Sequence, residues 1–121
     1  MRTEPRRVAV ASLWVLLIAV LSFLPQQFKQ DLHTRGHLHV WGHLLAFCSA
    51  ALLLVRATRD GRFRIVLLLM VLALGFFLEF GQHVVYSAPM EWSDVVIDTL
   101  GSSLGLLFAL ALGLQFNTGE R

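Results

Sequence analysis

The chain has 121 residues, of which 56% are hydrophobic and only 15% are charged, and its mean hydropathy is +0.67. These values exclude an ordinary soluble domain and predict a membrane protein. The net charge of +2 does not indicate a nucleic-acid partner. The arginines lie in short segments beside apolar runs, where they report the orientation of a membrane protein instead.

Four apolar segments account for most of the chain. A helix needs about 20 residues to cross a hydrocarbon core of roughly 30 Å. The segments close to that length are residues 8–24, 38–55, 65–85 and 95–116. The predicted fold class is therefore all-α, with residues 1–121 forming a single polytopic membrane domain of four transmembrane helices.

The arginines predict how these spans are oriented. Arg2, Arg6 and Arg7 precede the first span, and four more arginines fill the connection between the second and third spans: Arg56, Arg59, Arg62 and Arg64. Both segments are cytoplasmic by the positive-inside rule, which gives an N-in, C-in topology. The start of the second span, the end of the third and the start of the fourth then lie at the outer surface.

Polar side chains concentrate at that predicted outer end, where the sequence reads EFGQHVVYSAPMEWSD from residue 79 to 94. Several are four residues apart and so share one face of a helix. Facing lipid would cost each charged group roughly 2.5 to 3.5 kcal/mol at mid-bilayer, so we expect them to face inward. The expectation is a polar pocket opening outward, formed from His39, His43, Glu79, Gln82, His83, Asp94 and Asp98.

The acidic face of the fourth span continues into small residues. Asp94 and Asp98 are followed at helical spacing by Gly101 and Gly105, which form a GxxxG pair. Such pairs let helix backbones approach closely, so we expect these glycines to mediate helix packing within the chain or between chains of an oligomer. Asp94 also suits the N-cap of the last helix, with Ser93 as an equal candidate.

Three sequence stretches together resemble the VanZ-like family of small bacterial membrane proteins. They are HLLAF at 43–47, LEFGQ at 78–82 and EWSDVVIDTLGSSLG at 91–105. The resemblance implies a multi-pass protein of the bacterial plasma membrane. The family's founding member is associated with resistance to the glycopeptide teicoplanin, although the family's biochemical activity is not established. The positions carried over are His43, Glu79, Gln82, Asp94, Gly101 and Gly105.

The chain departs from the family's pattern at two points. Asp98 stands where asparagine is common, and the arginine often found shortly before the aspartate of the last helix is absent. Ala88, Pro89 and Met90 occupy that region instead. The missing arginine argues against a mechanism that requires an anion clamp.

A binding function is the first interpretation. The polar pocket would hold an envelope precursor or another lipid-linked ligand, contacted by His43, Glu79, Gln82, Asp94 and Asp98, with membrane lipids as further partners. The alternative is a purely structural role, in which these groups only hydrogen-bond to one another and join three helices. Each such bond would stabilise the bundle by about 0.6 kcal/mol.

Two other interpretations stay open. In a membrane-embedded hydrolase or transferase, Glu79 and His43 would form an acid–base pair, although the sequence shows no nucleophile elbow, phosphate loop or kinase signature. In a metal-binding bundle, histidine and carboxylate ligands would come from His39, His43, Glu79, His83, Asp94 and Asp98. The sequence therefore leaves enzymatic activity and cofactors undecided.

Overall fold

The computed structural model describes residues 4–24, 37–57 and 61–117. Four helices make up nearly all of this part: α1 (Pro5–Ser22), α2 (His37–Arg56), α3 (Gly61–Tyr86) and α4 (Trp92–Asn117). Each is long and apolar enough to cross a membrane, with mean hydropathy between 1.6 and 2.3, and the described residues contain no strand. The predicted all-α fold with four membrane-spanning helices is confirmed. Each helix begins before its predicted span because helical structure extends into the flanking polar residues.

Successive helices run antiparallel. Among the described residues, α2 and α3 each contact the other three helices, whereas α1 and α4 lie on opposite sides and do not meet. The most extensive packing is between α2 and α4. The buried core is small and is formed by Ile18, Phe47, Ala50, Ala51, Val71 and Leu78.

Most large apolar side chains point away from this core. Leu13 is 66% exposed and Phe77 is 63% exposed, and exposed residues of this kind occur on all four helices. An apolar surface of this extent on a small chain requires an apolar surrounding. The helices therefore present to lipid the surface that a soluble domain would bury.

Glycine residues allow α2 and α4 to approach closely. A Cβ atom at Gly101 would lie 2.6 Å from the carbonyl oxygen of Leu44, and one at Gly105 would overlap the carbonyl oxygen of Cys48. Any larger side chain at these positions would push the helices apart. The predicted GxxxG pair thus packs within the chain, against the backbone of α2.

A short turn at residues 87–91 joins α3 to α4. Ser87 adopts a left-handed conformation with φ of 51°, which is typical of the residue after a helix, and Pro89 prevents the helix from continuing. His83 Nδ1 donates to the Ala88 carbonyl oxygen at 2.5 Å. The turn brings the end of α3 beside the start of α4.

The same end of the bundle receives the end of α1. The Tyr86 hydroxyl donates to the Phe23 carbonyl oxygen at 2.5 Å, and the Phe23 ring packs against the backbone at Gly81. At the opposite end, Arg7 Nη1 donates to the Arg56 carbonyl oxygen at 3.5 Å. The predicted outer connection at 25–36 and the tail after residue 117 lie outside the described residues.

Candidate functional site

Two histidine–aspartate pairs connect α2 to α4. His39 Nε2 lies 2.9 Å from Asp94 Oδ2, and His43 Nδ1 lies 2.8 Å from Asp98 Oδ1. The spacing of four residues on both helices places the pairs one above the other, one helical turn apart. The sequence grouped these residues but did not pair them. The signal was present in the equal spacing of His39 and His43 on one helix and of Asp94 and Asp98 on the other.

The carboxyl groups of this site are buried. Asp94 is 4% exposed, Asp98 is 3% exposed and Glu79 is 5% exposed. A buried carboxylate is costly unless it is paired and hydrogen-bonded, and each aspartate here is bonded to a histidine. Their side chains are more accessible, at 34% for His39 and 22% for His43.

The expectation that Asp94 caps α4 is wrong. The helix begins at Trp92, and the Asp94 N–H donates to the Glu91 carbonyl oxygen at 2.9 Å, so Asp94 lies inside the first turn. Its carboxyl group turns toward α2, where His39 is its hydrogen-bond partner. The position still favours a negative charge, because the N-terminal end of a helix carries the positive end of the helix dipole.

Asp98 occupies a niche between α2 and α3. A Cβ atom at Gly75 would lie 3.0 Å from both Cβ and Oδ2 of Asp98, so the glycine makes room for the carboxyl group. Ser102, one turn further along α4, donates its hydroxyl to the Asp98 carbonyl oxygen at 2.7 Å. The glycine on α3 is therefore part of what allows His43 and Asp98 to pair.

Glu79 brings a third acid to the site from α3. Its Oε2 accepts a long hydrogen bond, 3.4 Å, from the backbone N–H of Glu91, and its carboxyl group lies within electrostatic range of Asp94 and His43. The acid–base pair expected between Glu79 and His43 is not joined by a hydrogen bond among the described residues. His43 Nδ1 is instead engaged by Asp98.

Gln82 and His83 lie apart from this network. Gln82 is half-buried, and no hydrogen bond of the described residues joins it to the acids or histidines. His83 is exposed and its Nδ1 is bonded to the Ala88 carbonyl oxygen. The structure thus brings together His39, His43, Glu79, Asp94 and Asp98, and among the described residues the other two expected members make no hydrogen bond to them.

Asp98 orients the His43 ring, but the described residues place no hydroxyl or thiol nucleophile next to that ring. A carboxylate on one ring nitrogen of His43 fixes the ring and leaves the other nitrogen available. The nearby hydroxyls are engaged elsewhere: Ser102 bonds to the Asp98 carbonyl oxygen and Thr99 to that of Val95. Within residues 4–24, 37–57 and 61–117, no hydroxyl or thiol is hydrogen-bonded to a histidine of the site.

No family model, curated protein or solved structure matches this chain. The likeness to the VanZ-like family therefore remains an expectation drawn from the motif residues.

Proposed function

We propose that this chain is a VanZ-like membrane protein that binds the polar part of an envelope or lipid-linked ligand at the outer face of a bacterial plasma membrane. The observation that carries the proposal is the gathering of three buried carboxyl groups, from Glu79, Asp94 and Asp98, at one end of a bundle whose helices are otherwise apolar. Intramembrane ionisable residues are expensive and are functional candidates by default.

Glu79 is the residue that distinguishes a binding site from a purely structural network. Asp94 and Asp98 each have a histidine partner at close range, whereas Glu79 has one long hydrogen bond to a backbone N–H. A carboxylate offers about four acceptor positions on two oxygens. Its remaining capacity suits a ligand that donates hydrogen bonds, such as a hydroxyl, an amide N–H or an amine.

The charges narrow the class of ligand. The described arginines lie at the other end of the bundle, and none is near the carboxyl groups: they are Arg6, Arg7, Arg56, Arg62 and Arg64. A bare phosphate would meet three acids without a guanidinium to bind it. The sugar or peptide part of a lipid-linked ligand fits better, because it supplies hydroxyl and amide donors, while its lipid part would lie along exposed apolar residues such as Phe80 and Val84.

The orientation belongs to the same proposal. The arginines gather at the end where α1 and α3 begin and α2 ends, and the positive-inside rule assigns such an end to the cytoplasm. The carboxyl groups then face the envelope. Labelling Ser87→Cys in intact cells with a membrane-impermeant thiol reagent tests this, in a Cys48→Ser background. Reaction without permeabilisation is expected, and reaction only after permeabilisation would reverse the topology.

Retention of lipid by purified protein tests the binding function. Wild type, Glu79→Ala and Glu91→Ala are extracted in a mild detergent, and the co-purified lipids are measured by mass spectrometry. Glu91→Ala is the matched control, because it removes an exposed carboxylate from the same turn and keeps the backbone N–H that donates to Glu79. We expect a polar lipid or lipid-linked sugar to be retained by wild type and Glu91→Ala and to be at least about tenfold depleted in Glu79→Ala, the ratio that corresponds to about 1.4 kcal/mol of binding energy.

Equal lipid profiles for the two variants and wild type would contradict the proposal. Circular dichroism and the unfolding temperature of each variant separate this result from misfolding. If Glu79→Ala unfolds, Glu79→Gln replaces it, because the amide keeps the size of the side chain and one acceptor oxygen while it removes the charge.

A further inference from the structure

We infer that His39, His43 and Asp94 form a binding site for a divalent transition-metal ion of the zinc type. His39 Nε2 and His43 Nε2 lie 2.9 Å and 3.7 Å from the same atom, Asp94 Oδ2. The two imidazole rings are 4.5 Å apart between centroids. One ligand atom from each of the three residues falls within 4.8 Å of the others.

These separations suit a tetrahedral ion. Zinc binds imidazole nitrogen at about 2.0–2.1 Å and carboxylate oxygen at about 2.0–2.2 Å, which puts two ligand atoms of one ion about 3.3 Å apart. The two distances from Asp94 Oδ2 lie on either side of that value, and the ligand nitrogens of the two histidines lie within 4.8 Å of each other. Metal binding would draw the two imidazole rings together around the ion.

The hydrogen bond between His43 and Asp98 orients His43 for binding a metal ion. Since His43 Nδ1 donates to Asp98 Oδ1, the lone pair of the neutral ring is on Nε2, the nitrogen that faces Asp94. A carboxylate that holds the second nitrogen of a metal-bound imidazole is the usual outer-shell partner in zinc sites. Asp98 is therefore a positioning residue for His43, and its own charge adds to that of Asp94 in compensating the cation.

Metal binding breaks the hydrogen bond between His39 Nε2 and Asp94 Oδ2. Zinc would take the place of the shared proton. A neutral His39 ring keeps its proton by shifting it to Nδ1, which exposes the Nε2 lone pair, whereas a protonated ring releases one proton to water. Three protein ligands leave the fourth tetrahedral position open to water or to a group of another molecule.

This set is smaller than the one expected from sequence. Of the two expected aspartates, Asp94 is a direct ligand and Asp98 acts through His43. His83 does not belong to it, because its ring is bonded to the Ala88 carbonyl oxygen in the turn after α3. The inference does not depend on the proposed lipid ligand, since it concerns atoms of α2 and α4 alone.

Zinc titration of purified protein tests the site. The protein carries a purification tag without histidine, is stripped with a chelator, and is titrated with Zn²⁺ in competition with a fluorescent zinc indicator. The variants are His39→Ala, His43→Ala, Asp98→Asn and the matched control His83→Ala, an exposed histidine at the same end of the bundle. We expect about one zinc ion per wild-type chain, filling the single tetrahedral site.

Each ligand variant should weaken zinc binding by at least about 100-fold, because loss of an outer partner alone costs about 10–100-fold. That smaller loss is expected for Asp98→Asn, and His83→Ala should bind as wild type does. Wild type that binds zinc no better than His39→Ala, or a loss of equal size in His83→Ala, would overturn the inference.

The visible spectrum of the Co²⁺-loaded protein gives a second readout, since four-coordinate Co²⁺ absorbs far more strongly than the octahedral aqueous ion. A wild-type spectrum that matches aqueous Co²⁺ would also overturn it.

Discussion

The interface between α2 and α4 has two halves that are built differently. In the half near the start of α4, histidine and aspartate side chains cross from helix to helix. In the next two turns, Gly101 and Gly105 let the backbones touch at Leu44 and Cys48. One helix pair therefore joins a polar contact made by side chains to a close contact made by the main chain.

The two halves are therefore expected to contribute differently to the stability of this interface. Close backbone packing tolerates no added atom, because a main-chain carbonyl cannot move aside. Hydrogen bonds between membrane helices contribute less than their burial suggests, about 0.6 kcal/mol on average and up to about 1.7 kcal/mol. The glycine half is therefore expected to hold the helices together, and under the proposed metal or ligand binding the polar half would exchange its partners at a smaller cost in stability.

The largest effect is expected in the glycine half. Gly105→Ala should cost about 1–3 kcal/mol of unfolding free energy, because its Cβ would overlap the Cys48 carbonyl oxygen and lie 2.9 Å from the Ala51 Cβ. The matched control is Gly113→Ala on the same helix, where nothing lies within 4 Å and the change should stay within about 0.5 kcal/mol. Unfolding by SDS in micelles measures both. Equal values for the two variants would mean that the close packing contributes little.

Removal of one hydrogen-bonded pair should have a smaller effect. Asp98→Ala leaves the His43 Nδ1–H without its acceptor and is expected to cost about 0.6–1.7 kcal/mol in the same unfolding measurement, carried out with a chelator present. Asp98→Asn should recover most of that loss, because the amide oxygen accepts the same hydrogen bond at the same size. A loss in Asp98→Asn as large as in Asp98→Ala would show that charge, and not the hydrogen bond, is the main contribution.

The helices were predictable from sequence because their signal is local. A run of apolar residues of membrane length specifies a spanning helix whatever its neighbours are. The gathering of polar groups at one end followed from the same reasoning. Because consecutive spans cross the membrane in opposite directions, the start of α2, the end of α3 and the start of α4 lie at the same end of the bundle. The role of Gly101 and Gly105 in packing was readable from their spacing.

The pairing within the site was not predictable in the same way. Whether His43 meets Glu79 or Asp98 depends on how far α2 and α4 are rotated about their axes, and that rotation is fixed by the glycine contacts further along. The prediction that Asp94 caps α4 was wrong because the start of the helix was predicted too late in the sequence. Three residues before Asp94, Glu91 already accepts from its N–H, so helical structure begins earlier than the apolar pattern indicates.

The smallest effect is expected at the accessible edge of the polar half. His39→Ala should cost about 0.2–1 kcal/mol, because the His39 side chain is 34% exposed and His43 Nε2, 3.7 Å from Asp94 Oδ2, still compensates the Asp94 carboxylate in the variant. The control is His37→Ala, an exposed residue at the start of the same helix, which should change the unfolding free energy by less than about 0.5 kcal/mol. If His39→Ala costs as much as Asp98→Ala, exposure does not weaken the outer pair and the two histidine–aspartate contacts are equivalent. A small cost would mean that His39 can release Asp94 with little loss of stability, which is what exchange of this hydrogen bond for a metal ion requires.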